Sequence, residues 1–288
     1  MTSPNHFEQS DIMARVGIGL LEAQLVLGRL VHRDAEKDFS GGVGSRVRVR
    51  LPNIVKAQAF TGSVSAIATQ INERSVPVEL KTHAVSAVDL TDEDLTLDIV
   101  DFGAQVLVPQ TAGVGEFVEQ TIAAEMNKLS TAANALEIDA AFPRKAVIAA
   151  GAVLDKAKVG NRRYLVVDAD VKAAMLADPN LSAVDDAGSA NTLREGVVGR
   201  LYGFDVYFSP FIKGAVAFAS EAFALAVRAP NAPLGVAYAA SVQSQGYALR
   251  YLRDFNSEAL QERSIVSTFV GATTLDANRA VGLKLKSA

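Results

Sequence analysis

A stripe of apolar residues through the middle of the sequence constrains the fold more than any other feature. Apolar side chains recur at helical spacing from Leu95 to Leu129, on either side of Pro109 and Gly113. The stripe consists of Leu95, Ile99, Phe102, Val106, Val114, Val118, Ile122, Met126 and Leu129. Because proline removes a helical hydrogen bond, the pattern predicts one long helix or two segments with a kink at Pro109. Such a stripe is typical of a protein core, so we assign it no cofactor.

The residues just before the stripe carry the signature of a helix start. Thr91 is placed to cap the helix and Asp94 follows three residues later, which is the spacing of a capping box. Asp92, Glu93 and Asp94 are also candidate metal ligands, but adjacent acids on a helix point in different directions. We therefore favour the helix start over a metal site.

Residues 45–51 alternate strictly between polar and apolar side chains. Arg46, Arg48 and Arg50 fall on one face of the predicted strand, and the apolar residues between them fall on the other. These arginines are candidate phosphate ligands, but interleaved aromatic residues are absent and the net charge is −4. An acidic surface on this or another subunit is the favoured partner. Residues 76–80 resume an extended pattern, in which Pro77 suits an edge strand, so residues 45–83 are predicted to form two strands flanking a long loop.

Three further stretches predict local structure. Residues 11–32 form an amphipathic pattern interrupted by glycines, which fits either a helix on the protein's own core or an arm that lies on a neighbouring subunit. Asp168 follows a predicted strand at 163–167 and caps a helix, although Asp168 and Asp170 also form a D-x-D pair of the kind that binds metals. Gly196, Gly199 and Gly203 require a specific backbone path and predict two structural turns that feed a short strand. Strands are also predicted at 247–252, 264–270 and 281–285.

The composition excludes several classes of function. The 288-residue chain has no cysteine, so disulfides, thiolate metal sites and cysteine nucleophiles are absent. The three histidines are far apart, and no Walker A, G-x-S-x-G or H-E-x-x-H motif is present. We therefore expect no enzyme, no catalytic residue, no cofactor and no metal. Neither a signal peptide nor a run of about 18 apolar residues occurs, so we expect a soluble, untargeted protein.

The order of these elements is similar to that of tailed-phage major capsid proteins of the Hong Kong 97 type. The resemblance is carried by Val76-Pro-Val-Glu-Leu-Lys-Thr-His83 leading into Leu90-Thr-Asp-Glu-Asp-Leu95, by Arg163-Tyr-Leu-Val-Val167 with its helix, and by Gly196 to Ser209. It implies an α+β fold of that type in five segments. These are an N-terminal arm at 1–44, an extended loop at 45–83, a peripheral domain with a long spine helix at 84–135, an axial domain at 136–230 and C-terminal peripheral strands at 231–288.

The resemblance implies self-assembly as hexamers and pentamers into the icosahedral shell that encloses the double-stranded DNA genome of a tailed bacteriophage. The expected location is the virion capsid, and the host cytoplasm during assembly. The expected partners are other copies, a separate scaffolding protein, a portal and a decoration protein, with non-specific proximity to packaged DNA and no membrane. A separate scaffold is expected because the sequence begins at Met1 directly at the arm; a chain trimmed to its mature form is the alternative.

Within such a shell, the arginines at 46, 48 and 50 are predicted to pair with acids of an adjacent subunit, among them those at 92, 93 and 94. Two alternatives stay open. One is an encapsulin, a bacterial shell of the same fold that encloses an enzyme. The other is an α/β metal-dependent enzyme that uses Asp168 and Asp170. No motif for the lysine–asparagine cross-link of the type member is found.

Overall fold

The computed structural model describes most of the chain as a mixed helix and sheet structure. The described residues are 14–19, 25–33, 46–51, 57, 59–60, 74–95, 101–160, 162–178, 197–233, 235, 238–244 and 247–286. The strands are β1 (Arg46–Leu51), β2 (Arg74–Glu79), β3 (Thr82–Thr91), β4 (Leu136–Ile138), β5 (Arg163–Val167), β6 (Val197–Leu201), β7 (Phe204–Phe208), β8 (Ala215–Ala219), β9 (Phe223–Arg228), β10 (Tyr238–Ser244), β11 (Tyr247–Asn256), β12 (Gln261–Thr274) and β13 (Ala280–Leu285). The helices are α1 (residues 14–19), α2 (Val108–Ser130), α3 (Pro143–Lys156) and α4 (Ala169–Ala177).

The central apolar stripe forms α2, and the expected irregularity lies just before Pro109. Residues Gly103–Leu107 form a π-helical turn that runs directly into α2, so helical conformation is continuous from 102 to 130. Pro109 falls in the first turn of α2, where the wider turn has already shifted the hydrogen-bonding register. Val114, Val118 and Ile122 are buried, which confirms the part of the stripe on α2 as core, whereas Ile99 lies outside the described residues. Among the described helices, none is long and apolar enough to cross a membrane.

A five-stranded antiparallel sheet packs against α2. Its order is β10-β11-β12-β3, and β9 pairs with the second half of the long β12. Gln110 of α2 is buried against this sheet, where its amide donates to the carbonyl oxygen of Ser264 at 2.9 Å. The Ser264 hydroxyl returns a hydrogen bond to the Gln110 amide oxygen at 2.7 Å. Each of these two buried side chains therefore has a hydrogen-bond partner across the junction between the helix and the sheet.

A six-stranded mixed sheet forms the second layer, in the order β4-β13-β8-β5-β7-β6. One face of this sheet is covered by α3 and α4 through a cluster that includes Val147, Leu154 and Met175. The other face contributes Val166 and Phe218 to the main core around α2. The sheet is therefore buried on both faces, which explains why β8 and the last three residues of β5 are apolar without alternation.

The two described pieces of the N-terminal segment pack on the core of the same chain. Ile18, Leu27 and Leu30 are buried in the main core. The backbone of His32 forms a parallel bridge to β9, since its N–H donates to the Phe223 carbonyl at 3.0 Å. The own-core interpretation is therefore confirmed for residues 14–19 and 25–33. Residues 1–13, 20–24 and 34–45 lie outside the described residues.

Strand pairing crosses the expected division of the chain at two places. β9 lies inside the segment 136–230 but pairs with β12 of the five-stranded sheet. β13 lies inside the segment 231–288 but pairs with β4 and β8 of the six-stranded sheet. β13 also touches the end of α2, because a Cβ atom built on Gly282 lies only 2.1 Å from the Leu129 carbonyl oxygen. The sheets in which β9 and β13 lie are therefore set by pairing between strands that are distant in sequence, which the division into consecutive segments does not describe.

Candidate functional site

The predicted arginine face lies on an antiparallel ribbon formed by β1 and β2. The opposed pairs on this face are Arg46 and Glu79, Arg48 and Pro77, and Arg50 and Ser75. The three arginine side chains are exposed, so the predicted alternation is confirmed. The ribbon presents its cationic face to solvent. The long loop predicted between its strands lies outside the described residues, apart from residues 57, 59 and 60.

The opposite face of the ribbon is anchored to the body of the same chain. Val47 and Val78 are buried and pack in one cluster with Ala224 and Ala226 of β9, and with Leu275. The small alanine side chains on β9 allow the ribbon to lie close to the sheet. The base of the ribbon is therefore fixed by apolar contacts, and its outer face remains available for another molecule.

The charges on the ribbon are not equivalent. Arg46 forms an ion pair with Glu79, and the Lys81 ammonium lies 3.0 Å from the same carboxylate. The Lys81 ammonium, which donates to Glu79, and the charge of Arg46 together hold the pKa of Glu79 below its ordinary value. Arg48 lies opposite Pro77 and forms no ion pair with any described residue. The structure therefore distinguishes Arg48, whose charge is not matched within the described chain, from Arg46.

The acids at 92–94 lie at the start of a helical turn that follows β3, as the sequence predicts. The Asp94 amide donates to the Thr91 hydroxyl at 3.1 Å, and the Thr91 amide donates to Asp94 Oδ2 at 2.9 Å. The Thr91 hydroxyl donates to the same carboxylate oxygen at 2.7 Å, and these contacts lower the pKa of Asp94. The capping box is thereby confirmed. Asp92 and Glu93 are exposed in the first turn and face outward from the start of the helix.

A second charged surface, which the sequence did not indicate, lies at one end of the five-stranded sheet. Arg263 of β12 lies opposite Asp89 of β3 and opposite Asp254 of β11. Its Nε and Nη2 atoms donate to the two Asp89 oxygens at 2.5 and 2.8 Å. A groove of about 390 Å³ opens beside this row and continues along the β11–β12 turn. These residues are up to 174 positions apart in sequence, so no local pattern points to the surface.

Both carboxylate oxygens of Asp168, the first acid of the D-x-D pair, accept hydrogen bonds from backbone amides. Its Oδ1 accepts from the Val171 amide at 2.8 Å, which caps α4, and its Oδ2 accepts from the Gly214 amide at 2.6 Å. The cap interpretation is confirmed, and Asp170 is exposed beyond it. Within the described residues, no group of three or more histidine, aspartate or glutamate side chains is arranged to hold a metal ion. The carboxylate of Asp168 links α4 to the start of β8.

The glycine-rich stretch forms a hairpin between β6 and β7. Tyr202 and Gly203 connect the strands with φ values of 46° and 85°, which is the backbone of a two-residue type I′ turn. Gly199 has a φ of 114° at a register shift, so it marks a bulge in β6. Gly196 lies outside the described residues. The hairpin thus places β7 between β5 and the edge strand β6 of the six-stranded sheet.

Residues 73–281, well over half of the chain, match a family model described as "Phage capsid protein". The chain belongs to the phage capsid protein family. No curated protein matches the capsid protein. Among solved structures it is similar to a chain of Mycobacterium phage Che8, at 18% identity, a TM-score of 0.64 and coverage of 91% of both chains. It is similar to the capsid of Ralstonia phage GP4, at 10% identity, a TM-score of 0.58 and coverage of 91% and 89%.

The capsid protein is also similar to a virus-like particle from Pyrococcus furiosus, at 11% identity, a TM-score of 0.56 and coverage of 97% of this chain and 100% of that chain. At these low identities, the likenesses show the fold, which is of the Hong Kong 97 type. Together with the family match, they identify a major capsid protein, a structural subunit that forms the shell of a phage. The arginine ribbon and the 92–94 turn are therefore candidate contacts between copies.

Proposed function

We propose that the capsid protein assembles as hexamers and pentamers into the icosahedral shell that encloses the double-stranded DNA genome of a tailed bacteriophage. The observation that carries this proposal is the family match over residues 73–281. A closed shell of one chain needs contacts between different surfaces of neighbouring copies, and many modest contacts add up to a stable particle. We infer a purely structural role, with no catalytic residue and no cofactor.

The expected segments take roles in this shell. We assign residues 1–44 to an N-terminal arm, 45–83 to the extended loop, 84–135 and 231–288 to the peripheral domain, and 136–230 to the axial domain. The pairing of β1 with β2 supports the extended loop, and the length of α2 supports a spine helix. The sheet pairing favours two changes of assignment, namely β9 to the peripheral domain and β13 to the axial domain.

We further infer that the ribbon of one copy pairs with the 92–94 turn of an adjacent copy. Arg46 already pairs with Glu79, and Asp94 caps its own helix. The contact therefore centres on Arg48 and on the exposed Glu93. An exposed ion pair contributes only about 0–1 kcal/mol. Because it recurs in every subunit, even this small contribution shifts the assembly equilibrium. Like charges in a wrong register also disfavour competing contacts.

A charge swap tests this contact. Arg48→Glu should lower the yield of shells while leaving the unfolding temperature of the unassembled subunit unchanged. A second change, Glu93→Arg, should restore part of the yield, because it returns an opposite charge to the same contact. Arg46→Gln is the matched control, since its in-chain ion pair predicts a smaller effect on assembly. Normal shells from Arg48→Glu, or equal losses of folding and assembly, count against the intersubunit role.

We propose that the remaining partners are a separate scaffolding protein, a portal and a decoration protein, and that assembly takes place in the host cytoplasm. The net charge of −4 fits a shell around DNA, because a strongly basic lining holds phosphates tightly and hinders packing. Negative-stain electron microscopy of the chain, expressed with and without its scaffolding partner, tests the proposal. Closed shells are expected, and monomers or small oligomers under both conditions would refute it.

A shell that encloses an enzyme, as encapsulins do, is the second candidate function. The observation that favours it is the similarity to the virus-like particle from Pyrococcus furiosus across nearly the whole length of both chains. The contents of purified particles separate the two candidates. Packaged DNA supports the phage shell, whereas a single enriched enzyme with a docking tail supports the encapsulin.

A further inference from the structure

The helix α3 has an apolar face that points away from the sheet it covers. Its inner face packs on the six-stranded sheet, with Val147 and Leu154 buried. On the other side, Ile148 is 51% exposed and Val153 is 42% exposed. Leu176, on the neighbouring α4, is 54% exposed. We name this surface the α3 outer face; it consists of Phe142, Lys145, Ile148, Ala149, Ala152, Val153 and Lys156, all of them exposed.

The charges on the α3 outer face are of one sign. Lys145 and Lys156 stand at its two ends, about 16 Å apart along the helix at about 1.5 Å per residue. The Lys145 ammonium lies 4.6 Å from the centre of the Phe142 ring. The neighbouring acid, Asp155, is paired with Arg163 at 2.7 Å. Two copies meeting through this same face would bring lysines together, so a different, acidic surface is the better partner.

The exposed stripe of α2 has the matching chemistry. Phe117 is 39% exposed at its centre, and Glu116 and Ala124 are exposed beside it. Glu125 is paired with Lys128 at 2.5 Å, whereas Glu116 accepts a hydrogen bond from Gln120 and has no ion pair with any described residue. An exposed aromatic ring beside an unmatched carboxylate complements an apolar face bordered by lysines.

We propose that the α3 outer face of one copy docks against the α2 stripe around Glu116 and Phe117 of a second copy. The apolar side chains at 148 and 153 pack against the Phe117 ring, and a border lysine meets Glu116. Because the two surfaces differ, the contact is heterologous, and it forms a closed ring where the rotation between neighbouring copies closes. The contact presupposes shell assembly, which is part of the proposed function.

Replacement of one apolar residue on each surface with aspartate tests this contact in the full-length chain. Ile148→Asp and Phe117→Asp should each lower the yield of shells at least tenfold, because an unpaired charge is placed at the centre of the contact. Leu260→Asp is the matched control, since Leu260 is 59% exposed in the β11–β12 turn and belongs to neither surface. All three variants should keep the unfolding temperature of the wild-type subunit.

A charge exchange keeps the test valid if an aspartate variant fails to fold. The double variant Lys145→Glu and Lys156→Glu changes exposed side chains alone, should assemble at least tenfold less, and should recover when combined with Glu116→Lys. Normal shells from Ile148→Asp or Phe117→Asp, or no recovery by Glu116→Lys, would overturn the contact. Wild-type protein in the same experiment tests assembly itself, because absent wild-type shells would instead count against the proposed function.

Discussion

Glu119 is a buried carboxylate on α2 that holds the N-terminal segment against the core. The side chain is 5% exposed, and its two oxygens accept from the amides of Leu27 at 3.0 Å and Gly28 at 3.1 Å. Both amides belong to buried residues of the turn Leu27–Arg29. We predict that Glu119→Ala destabilises the unassembled subunit, because both donors then lose their acceptor inside the protein.

The size of the effect follows from the number of donors. Each buried N–H left without an acceptor costs about 1–3 kcal/mol, so alanine leaves a gross cost of about 2–6 kcal/mol. Removal of the buried charge offsets part of this cost, so we expect the lower half of the range, about 2–4 kcal/mol. At about 2.1 cal/mol/K per residue, the unfolding entropy is about 0.6 kcal/mol/K, and Tm should fall by about 3–7 °C. Glu119→Gln retains one acceptor oxygen and should lose less.

The same carboxyl group predicts a pH dependence. Burial raises the pKa of Glu119 above its ordinary value, although hydrogen bonds from the amides of Leu27 and Gly28 oppose the shift. The folded protein therefore binds this proton more readily than the unfolded chain does. The free energy of unfolding contributed by Glu119 falls as the pH rises from the ordinary carboxyl pKa through the raised value. Wild type should therefore lose stability relative to Glu119→Gln over that window.

Calorimetry of the unassembled subunit at neutral and mildly acidic pH measures both effects, and hydrogen exchange reports the amides of Leu27 and Gly28. Glu116→Ala is the matched control, because Glu116 is an exposed carboxylate on the same helix and should change stability by less than about 0.5 kcal/mol. An unchanged Tm for Glu119→Ala, with both amides still protected from exchange, would refute the reasoning.

Three further predictions concern the layers. Gly282→Ala places its Cβ 2.1 Å from a carbonyl oxygen at the end of α2 and should lower the free energy of unfolding by about 3 kcal/mol or more, as measured by chemical denaturation. Gly235→Ala is the control, because no atom lies within 4 Å of its Cβ, and it should cost far less. Equal effects of the two substitutions would contradict the close approach. Asp168→Ala should cost about 1–3 kcal/mol, because the amides of Val171 and Gly214 lose their side-chain acceptor. A Tm that depends on added metal in wild type but not in the variant would argue against this structural role. Gly203→Val forces a branched side chain to a φ of 85°, at a cost of about 1–2 kcal/mol, and should lower the yield of folded subunits or shells. An unchanged yield would show that the turn does not need glycine.

Local chemistry made several elements of the capsid protein predictable. The arginine face of β1 follows from a period of two, because alternate side chains of a strand point to opposite faces. The caps formed by Thr91 and Asp168 follow from short side chains whose oxygens reach backbone amides three residues away. The turn at Gly203 follows from a backbone conformation that L residues with a Cβ rarely adopt. Each of these depends on contacts within a few residues.

The candidate contacts were only partly predictable. The sequence placed the arginines on one face and the acids of 92–94 at a helix start. It did not show that Arg46 is matched by Glu79, whereas Arg48 lies opposite Pro77. The α3 outer face was missed as well, because the alanine-rich stretch before β5 has no single strong stripe. The exposed face of α3 is identified only by the packing of its other face on the six-stranded sheet.

By itself, the sequence determined the elements that local periodicity and capping specify, and the order in which they follow one another. The tertiary structure alone decided which distant elements meet. Glu119 reaches an amide 92 residues away, Arg263 pairs with an acid 174 residues away, and β13 crosses into the sheet of an earlier segment. Such pairings depend on the packing of the whole chain, in which many strands offer equivalent backbone donors and acceptors. A single sequence carries no local signal that selects among them.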